Sequence, residues 1–239
     1  RENKYCAFYE EEHAKNLEAD VYFICVEEWN VEKVFETWRG VFLDKNPIVV
    51  IRSTTSPGTT EELRKKYNPV PIVHNPEFLR ERDALHDFLY PDKIVIGRNL
   101  QIRDEVDPFF ELLYKPFNAP IIFTDSTTSE FLKLASNAVL SSYISIWNQI
   151  KPVADKIGVN SHQVAKILTL DPRISKYGTI HGKPFGGFCL PKDLDSMIKL
   201  GKKLNVTTVL LDAVKAINDE LTGDEVEENS STKKAREEA

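Results

Sequence analysis

Several features that would assign the chain to a specialised class of protein are scarce or missing. There are only three cysteines, Cys6, Cys25 and Cys189, at wide spacing and without a Cys/His ligand pattern. This count argues against a disulfide framework and a structural zinc, and it favours a reducing cytosol. No apolar run is long enough to span a bilayer, and no charged-then-apolar signal segment begins the sequence. We therefore expect a cytoplasmic protein without a bound metal or a membrane partner.

An excess of positive charge is also missing. The formal net charge is −6, and residues 222–239 supply half of it, with six acidic and three basic side chains. The rest of the chain is only mildly acidic, which gives no electrostatic reason to expect nucleic acid as a partner. The low hydrophobicity and dense charge of residues 222–239 predict a disordered tail.

The glycine-rich G-x-G-x-x-G turn that binds phosphate in dinucleotide-binding domains does not occur. What the sequence does contain is ordinary: 239 residues, 41% hydrophobic and 28% charged. A chain of this length and composition can bury the core of one large domain or two modest domains.

The first half of the chain alternates between apolar runs of strand length and short helical patterns. The predicted strands are residues 20–26, 47–51, 70–74, 93–97 and 120–124. The predicted helices are residues 31–43, 60–67 and 104–114, with a further short helix within residues 3–18. This alternation predicts βαβ units and a mostly parallel sheet. Because residues 20–26 read as a strand buried on both faces, Cys25 is expected in the core.

The pattern changes after Thr124. Thr127 and Glu130 fit a capping box, and residues 131–157 are apolar at helical period, with a kink expected at Pro152. Such a helix needs a packing partner, either later helices or a second subunit. Shorter helices are predicted at residues 161–170, 193–204 and 208–221. We therefore expect an α/β domain at 1–124, an all-helical domain at 125–221 and the tail at 222–239.

A hydroxyl-rich turn, residues 52–60, follows the predicted strand 47–51. Ligands of open α/β sheets bind at the carboxyl ends of strands, so this turn is a candidate binding loop. Helix capping explains it as well, because Thr59 and Glu62 fit the S/T-x-x-E box. The two interpretations are compatible.

Polar residues form a line along the long apolar helix. They are Lys133, Asn137, Ser141 and Asn148. Residues four apart share a helix face, so the line is consistent with a lined cleft, and equally with a solvated face.

Two carboxylates, Glu77 and Glu81, follow the strand that ends at His74. They could do acid/base work, although the preference of glutamate for the first turn of a helix explains them nearly as well. The histidines His74, His86 and His181 show no nucleophile or metal spacing, and we interpret them as structural.

The segment 184–193, PFGGFCLPKD, places Cys189 between paired glycines and a Pro-Lys-Asp sequence. Glycines allow close approach of the backbone to a ligand, and a neighbouring cation such as Lys192 favours the nucleophilic thiolate. A turn with an incidental small hydrophobic residue is the alternative interpretation.

Taken together, these segments resemble the UDP-glucose/GDP-mannose dehydrogenase family, from about residue 20 to about residue 221. The resemblance rests on five motifs in order: DVYFICV, STTSPGTT, NPEFLRERDALHD with PDKIVIG, SEFLKLASNA, and DPRI with FGGFCLPKD. It implies a partial Rossmann-like parallel sheet followed by an all-helical dimerisation domain with one long central helix. It also implies a homodimer through residues 127–157, and a place in polysaccharide biosynthesis.

The family oxidises the C6 alcohol of a nucleotide sugar to a carboxylate with two NAD⁺, through a thiohemiacetal and a thioester on a cysteine. By resemblance, Cys189 is that nucleophile, and Lys133 and Asn137 stabilise the oxyanion. Asp193, with Thr54 and Glu81, activates water, and Glu77 lies beside the sugar. The remaining implied roles are substrate binding by Arg173 (across a dimer interface), Gly186, Gly187 and Phe185, and cofactor binding by Val26, Thr54, Glu81 and Lys192.

The sequence departs from the family at both ends. The opening βαβ unit with its glycine-rich turn and the C-terminal nucleotide-binding domain are not found. The family's V-P-T-P reads Val26-Glu-Glu-Trp29, and Arg82 stands where glycine is usual. We therefore expect a truncated or incomplete form of the enzyme. A non-catalytic binding or dimerisation remnant, and a thiol redox sensor centred on Cys189, are the alternatives.

Overall fold

The computed structural model describes the backbone of residues 19–237 and the side chains of residues 19–223. The helix predicted within residues 3–18 lies outside the described residues. The chain divides into two compact units, with the boundary between Lys133 and Leu134. The sequence predicted a boundary at residue 124. The difference arises because the first two turns of the long helix are bonded into the first unit, as described below.

The first unit contains a five-stranded sheet whose spatial order follows the chain. The strands are β1 (Val21–Ile24), β2 (Ile48–Ile51), β3 (Ile72–His74), β4 (Ile94–Gly97) and β5 (Ile121–Thr124). Strands β1, β2 and β3 are parallel, and so are β4 and β5, while β3 meets β4 in an antiparallel bridge from His74 to Gly97. All five predicted strands are present, and the α/β class is confirmed.

Strand β2 is buried on both faces and separates two hydrophobic cores. Val49 and Ile51 lie in one core with Phe35 and Tyr67, whereas Ile48 and Val50 face the other core. This alternation follows from the two-residue period of a strand. A continuous β-branched run such as Ile-Val-Val-Ile is therefore typical of a strand covered by helices on both sides.

Strand β1 is less buried than the sequence indicated. Of its four residues only Ile24 is buried, and Phe23 is 43% exposed. Cys25, which the sequence placed in the core, is exposed, so that prediction was wrong. Within the described residues β1 pairs with β2 alone, and an apolar run by itself does not distinguish such a strand from a central one.

Five α-helices between residues 19 and 125, the part of the first unit that the structure describes before the long helix, accompany the sheet. They are α1 (Glu28–Thr37), α2 (Arg39–Lys45), α3 (Thr59–Lys66), α4 (Ala84–Leu89) and α5 (Arg103–Tyr114). The sequence predicted one helix at residues 31–43, but Trp38 leaves the helical conformation and separates α1 from α2. The local sequence Thr-Trp-Arg-Gly has low helix propensity, which explains the break.

The second unit is helical. The long helix α6 (Ser126–Lys156) begins in the first unit and continues through the second, where α7 (Ser161–Leu168), α8 (Cys189–Lys203) and α9 (Val209–Glu237) follow. The hydrophobic core of the second unit contains Ala138, Phe185, Leu194, Ile198 and Val214. No helix in the described part of the chain combines the length and apolarity that crossing a bilayer requires.

Helix α9 extends further than predicted. The sequence indicated a helix end at Leu221 and a disordered tail, whereas the backbone is helical to Glu237. No proline interrupts residues 209–237, and this stretch contains many Ala, Leu, Glu and Lys residues, which are strong helix formers. Their propensity is sufficient to continue a helix that has already begun.

Candidate active site

The turn after β2 holds Thr54 between two buried neighbours. Ser53 Oγ accepts a hydrogen bond from the Val26 N–H at 3.0 Å and donates to the Val26 carbonyl oxygen at 2.5 Å. The Thr55 hydroxyl donates to Glu130 Oε1 at 3.3 Å, and Thr54 itself is half-buried. Ser53 thus ties together Val26 and Thr54, the two main-chain positions expected at the cofactor. Sequence reasoning missed Ser53, although it lies in the quoted hydroxyl-rich turn.

Glu130 of α6 caps the helix that this turn begins. Its Oε2 accepts the Gly58 N–H at 2.6 Å, and its Oε1 accepts the Thr60 N–H at 2.8 Å and the Thr60 hydroxyl at 2.6 Å. Both predicted capping boxes are therefore wrong: Gly58 rather than Thr59 is the N-cap of α3, and Glu130 bonds to α3 and the turn before it rather than to its own helix. Burial raises the pKa of Glu130, and the hydrogen bonds from Thr60, Gly58 and Thr55 oppose that rise.

The start of α6 is capped by Asp125 instead. Its carboxylate accepts the Thr128 N–H at 2.8 Å and the Thr128 hydroxyl at 2.6 Å. An aspartate immediately before the first turn is a strong N-cap, because it satisfies otherwise unpaired N–H groups. This frees Glu130 for its long-range role.

His74, at the end of β3, is fully buried. Its Nδ1 lies 2.8 Å from Ser129 Oγ and its Nε2 lies 3.2 Å from the Ser53 carbonyl oxygen. Only an N–H can bond a carbonyl oxygen, so Nε2 carries the proton and Nδ1 accepts from the Ser129 hydroxyl. Burial lowers the pKa of His74 to about 4. The structural interpretation of this histidine agrees with its contacts.

Lys133 of α6 is buried and pairs with Glu77. Its ammonium donates to the Glu77 carbonyl oxygen at 2.7 Å and to Glu77 Oε1 at 3.1 Å. The same ammonium lies 5.5 Å from the centre of the Phe78 ring, and that of Lys93 lies 4.4 Å from it. Since Glu77 is only partly buried, this pair is a cation held in place by a carboxylate that still meets solvent.

Glu81 does not lie beside Glu77 on a helix. Residues 75–80 have no regular structure, and Glu81 is the exposed first residue of a 3₁₀ turn, Glu81–Asp83. The helical explanation of Glu77 is therefore wrong. The segment is held by Arg80, whose guanidinium bonds both carboxylate oxygens of Asp87, at 2.9 and 2.6 Å.

The polar line along α6 is buried rather than solvated. Lys133, Asn137, Ser141 and Asn148 are all at most 7% exposed, so the solvated-face interpretation is wrong. Asn148 accepts the Gly182 N–H at 2.7 Å and donates to the Lys183 carbonyl oxygen at 2.8 Å. One residue of this polar line, Asn148, therefore holds the loop at residues 182–183.

Asp193 is the buried carboxylate of the second unit. Asn137 Nδ2 donates to its Oδ2 at 2.6 Å, and Lys192 Nζ lies 2.5 Å from its Oδ1. Asp193 is 1% exposed. Buried charges persist when they are paired and hydrogen-bonded, and here both oxygens have a donor. The structure thus brings together three of the predicted site residues, Asn137, Lys192 and Asp193.

Cys189 is exposed and is the first residue of α8. The first turn of a helix stabilises negative charge through its N–H groups and dipole, and thiolates are favoured there. Asp193 lies one turn further along the same helix, so Cys189 and Asp193 occupy the same helical face. The position suits an accessible nucleophile.

The loop that precedes Cys189 is anchored through its main chain. Asn218 of α9 accepts the Phe185 N–H at 2.7 Å and donates to the Phe185 carbonyl oxygen at 3.2 Å. Phe185 is buried in the second core, whereas Gly186 and Gly187 are exposed, with Gly187 at φ 74°. Sequence reasoning missed Asn218, because nothing near it in the sequence signals a loop anchor.

Arg173 lies on the surface of the second unit. Its side chain is 87% exposed, and its guanidinium pairs with Asp171 at 2.6 Å. No other predicted site residue contacts it in the part of the chain that the structure describes. Its expected role across a dimer interface therefore stays a prediction.

Comparison with known proteins supports the assignment that these residues suggest. Residues 1–118 match the NAD binding domain of the UDP-glucose/GDP-mannose dehydrogenase family, and residues 127–220 match the central domain of that family. A UDP-glucose 6-dehydrogenase of Rickettsia bellii is 34% identical over 91% of this chain and 52% of its own length. One of Rhizobium meliloti is 36% identical over 72% of this chain and 41% of its own length.

A solved structure shows the same fold. The UDP-glucose dehydrogenase of the hyperthermophilic archaeon Pyrobaculum islandicum superimposes with a TM-score of 0.78 at 32% identity. The alignment covers 84% of this chain and 50% of that one. This chain thus spans about half the length of the relatives it matches. It belongs to the UDP-glucose/GDP-mannose dehydrogenase family, whose cofactor is NAD.

Proposed function

We propose that this chain carries the chemical residues of an NAD-dependent 6-dehydrogenase acting on a nucleotide sugar of the UDP-glucose type. The observation that supports it most is the location of Cys189, exposed at the start of α8 and one turn from a buried carboxylate. An accessible thiol at a helix N-terminus is suited to nucleophilic catalysis. The family relationship supports the proposal that such a thiol would act in a nucleotide-sugar oxidation.

The cofactor fits the carboxyl ends of β1 and β2. Val26 and Thr54 lie there, and the Ser53 hydroxyl fixes one relative to the other. When bound, NAD⁺ would accept one hydride in each of two oxidations. Glu81 and Lys192 are the further residues proposed to hold it.

The reaction we propose has four steps. The C6 alcohol loses a hydride and a proton to become an aldehyde. Cys189 Sγ then bonds to the aldehyde carbon, and the oxygen takes a proton to give a thiohemiacetal. Loss of a second hydride and of the hydroxyl proton gives a thioester. Water adds to the thioester carbon, the C–S bond breaks, and the carboxylate and the thiolate of Cys189 are released.

The charged and amide groups have distinct proposed roles in these steps. Lys133 and Asn137 would stabilise the oxyanions, since one is a buried cation and the other has a second amide hydrogen beyond the one given to Asp193. Asp193, with Thr54 and Glu81, would orient the hydrolytic water, and Glu77 would lie beside the sugar. Phe185, Gly186, Gly187 and Arg173 are the proposed substrate contacts.

Turnover of UDP-glucose by the full chain, followed as NADH formation, tests the proposal. We expect Cys189→Ala to lower the rate about a thousandfold or more, as loss of a nucleophile does. Cys25→Ala is the matched control, because Cys25 is also exposed, and it should leave the rate unchanged. Normal turnover by Cys189→Ala would refute the mechanism.

We also propose a homodimer through α6. An apolar line along it repeats at heptad spacing, Val139, Tyr143, Ile146, Ile150 and Val153, and Ile157 follows in the turn after the helix. Val139 and Ile146 are each 50% exposed, Val153 is 62% exposed and Ile157 is 72% exposed. A heptad seam of this length is typical of a helix that pairs with another helix.

Sedimentation of the chain tests the dimer. The double substitution Ile146→Lys and Val153→Lys should convert the dimer to a monomer, because each chain would otherwise bury two unpaired cations in the seam. Gln149→Lys, at an exposed position beside the seam, should leave the mass unchanged. A chain that dimerises and does not turn over would favour the alternative of a non-catalytic dimerisation module. The cytosolic location expected from cysteine usage stays a prediction.

A further inference from the structure

We propose that Glu130 is a positioning residue for the cofactor, acting through the turn that carries Thr54. This inference rests on the proposed function, because Thr54 is one of the proposed cofactor contacts. Glu130 makes no hydrogen bond within its own helix cap. Its carboxylate instead reaches the turn between β2 and α3, about seventy residues earlier in the chain, and is 0% exposed.

Every group that faces this carboxylate is a donor. The N–H groups of Gly58 and Thr60 are joined by the hydroxyls of Thr60 and Thr55, at 2.6 to 3.3 Å. A carboxylate is the only protein side chain that offers acceptor atoms on both branches at this size. Gln would present an amide N–H₂ to one of these donors, so the site requires glutamate specifically.

These hydrogen bonds hold the turn on both sides of Thr54. Ser53 is held to Val26, and Thr55, Gly58 and Thr60 are held to Glu130. Thr54 lies between these restraints and has no hydrogen bond assigned to its own hydroxyl in the described structure. Glu130 therefore determines where Thr54 points, while leaving its hydroxyl available to a ligand.

The backbone conformation of Gly58 explains why the turn needs the hydrogen bond from Glu130. It has φ 102°, a conformation that only glycine adopts readily, and it is the residue before the first turn of α3. A glycine in this position is entropically costly to order. The Glu130 hydrogen bond to its N–H holds this conformation together with the bond from the Glu62 N–H to the Gly58 carbonyl oxygen.

The test compares Glu130→Gln with Glu61→Gln in the full chain. Glu61 lies in the first turn of α3 and pairs with Arg64, so Glu61→Gln is the same substitution on the helix that Glu130 caps, without loss of the clamp. We expect Glu130→Gln to raise hydrogen exchange of the Gly58 and Thr60 amides about tenfold or more, as loss of a charged hydrogen bond does. The exchange of β4 and β5 amides should not change.

Calorimetric titration with NAD⁺ gives the second readout. We expect Glu130→Gln to weaken NAD⁺ binding by the folded protein about tenfold, and Glu61→Gln to bind normally. A merely structural role would lower the melting temperature and leave the affinity of the folded protein intact. That result would refute the positioning role.

Two further outcomes separate this inference from the proposed function. If the wild-type chain binds no NAD⁺, the proposed cofactor site is wrong, and the exchange of the Gly58 and Thr60 amides alone decides whether Glu130 holds the turn. If Glu130→Gln fails to fold, Thr60→Val removes one hydroxyl donor without leaving a buried charge unpaired. Unchanged exchange of the Gly58 and Thr60 amides in Glu130→Gln, or in Thr60→Val where Glu130→Gln does not fold, would overturn the clamp.

Discussion

Lowering the pH should destabilise the first unit through His74. The pKa of this imidazole is about 4 in the folded chain, against an ordinary value of 6.5, because burial disfavours the cation. The unfolded chain therefore binds more protons between these two values. The contribution of His74 to stability is fully present above pH 6.5 and is lost as the pH falls towards 4.

The size of the effect follows from the shift. A difference of one pKa unit corresponds to about 1.4 kcal/mol, so the whole change from pH 7 to below 4 is about 3 kcal/mol. At pH 5 the loss is about 2 kcal/mol, since most of the unfolded histidine is protonated there and little of the folded histidine is. The site offers no new partner for a protonated His74, because both ring nitrogens are already hydrogen-bonded to Ser129 and Ser53.

Urea unfolding at several pH values, sampled by pulsed hydrogen exchange at one fixed pH, measures this loss. Peptides from β2 and β3 report the first unit alone, which avoids a contribution from His181, whose pKa burial also lowers. His74→Gln should flatten the dependence between pH 4 and 6.5, and His86→Gln should not, because His86 is exposed. Equal slopes in the wild-type chain and in His74→Gln would refute the reasoning.

Three further predictions concern the two units separately. Lys133→Met should lower the rate of NADH formation about a hundredfold, because it removes the cation proposed to stabilise the oxyanion. Lys93→Met should leave that rate unchanged. Gly178→Ala should lower the free energy of unfolding by about 2 kcal/mol or more, because a Cβ there would lie 2.7 Å from a main-chain oxygen at φ 81°. Gly40→Ala, where a Cβ meets nothing within 4 Å, should not lower it in the same melting experiment. Asn218→Ala should cost about 2 kcal/mol in thermal unfolding, because it leaves two buried main-chain groups without partners.

The strands were predictable because each one is encoded locally. Residues 48–51 and 94–97 are short β-branched runs, and their burial on both faces is the structure that such runs favour. The order of elements, the long helix and the change from α/β to all-helical architecture followed from the same kind of local signal.

The helix caps were not predictable, because their partners are distant in the sequence. Thr59 with Glu62, and Thr127 with Glu130, both satisfy the capping-box spacing. In the structure Glu130 instead accepts from four donors in the turn before α3 and at the start of α3, and Asp125 caps the helix of Glu130. A spacing rule compares residues within one turn and cannot take such competition into account.

In the candidate site, too, residues within short motifs were predictable and the distant side chains that anchor the main chain were not. Cys189, Asp193 and Lys133, with their partners Asn137, Lys192 and Glu77, were proposed from short motifs, but the side chains that hold the neighbouring main chain were not. Ser53 and Asn218 act on main-chain atoms far from their own positions in the sequence. Exposure was also difficult to predict, because whether a strand such as β1 is covered depends on elements that its own residues do not encode.

The loop before Cys189 is held by contacts that do not depend on its side chains, apart from Phe185. Asn148 bonds the Gly182 N–H and the Lys183 carbonyl oxygen, and Asn218 bonds both main-chain groups of Phe185. Substitutions at Lys183 therefore leave its anchors intact. Since Gly186 and Gly187 of this loop are proposed substrate contacts, we expect the loop sequence to tolerate change without loss of stability. Residues 183 and 184 are accordingly the positions at which we would begin a library for directed evolution.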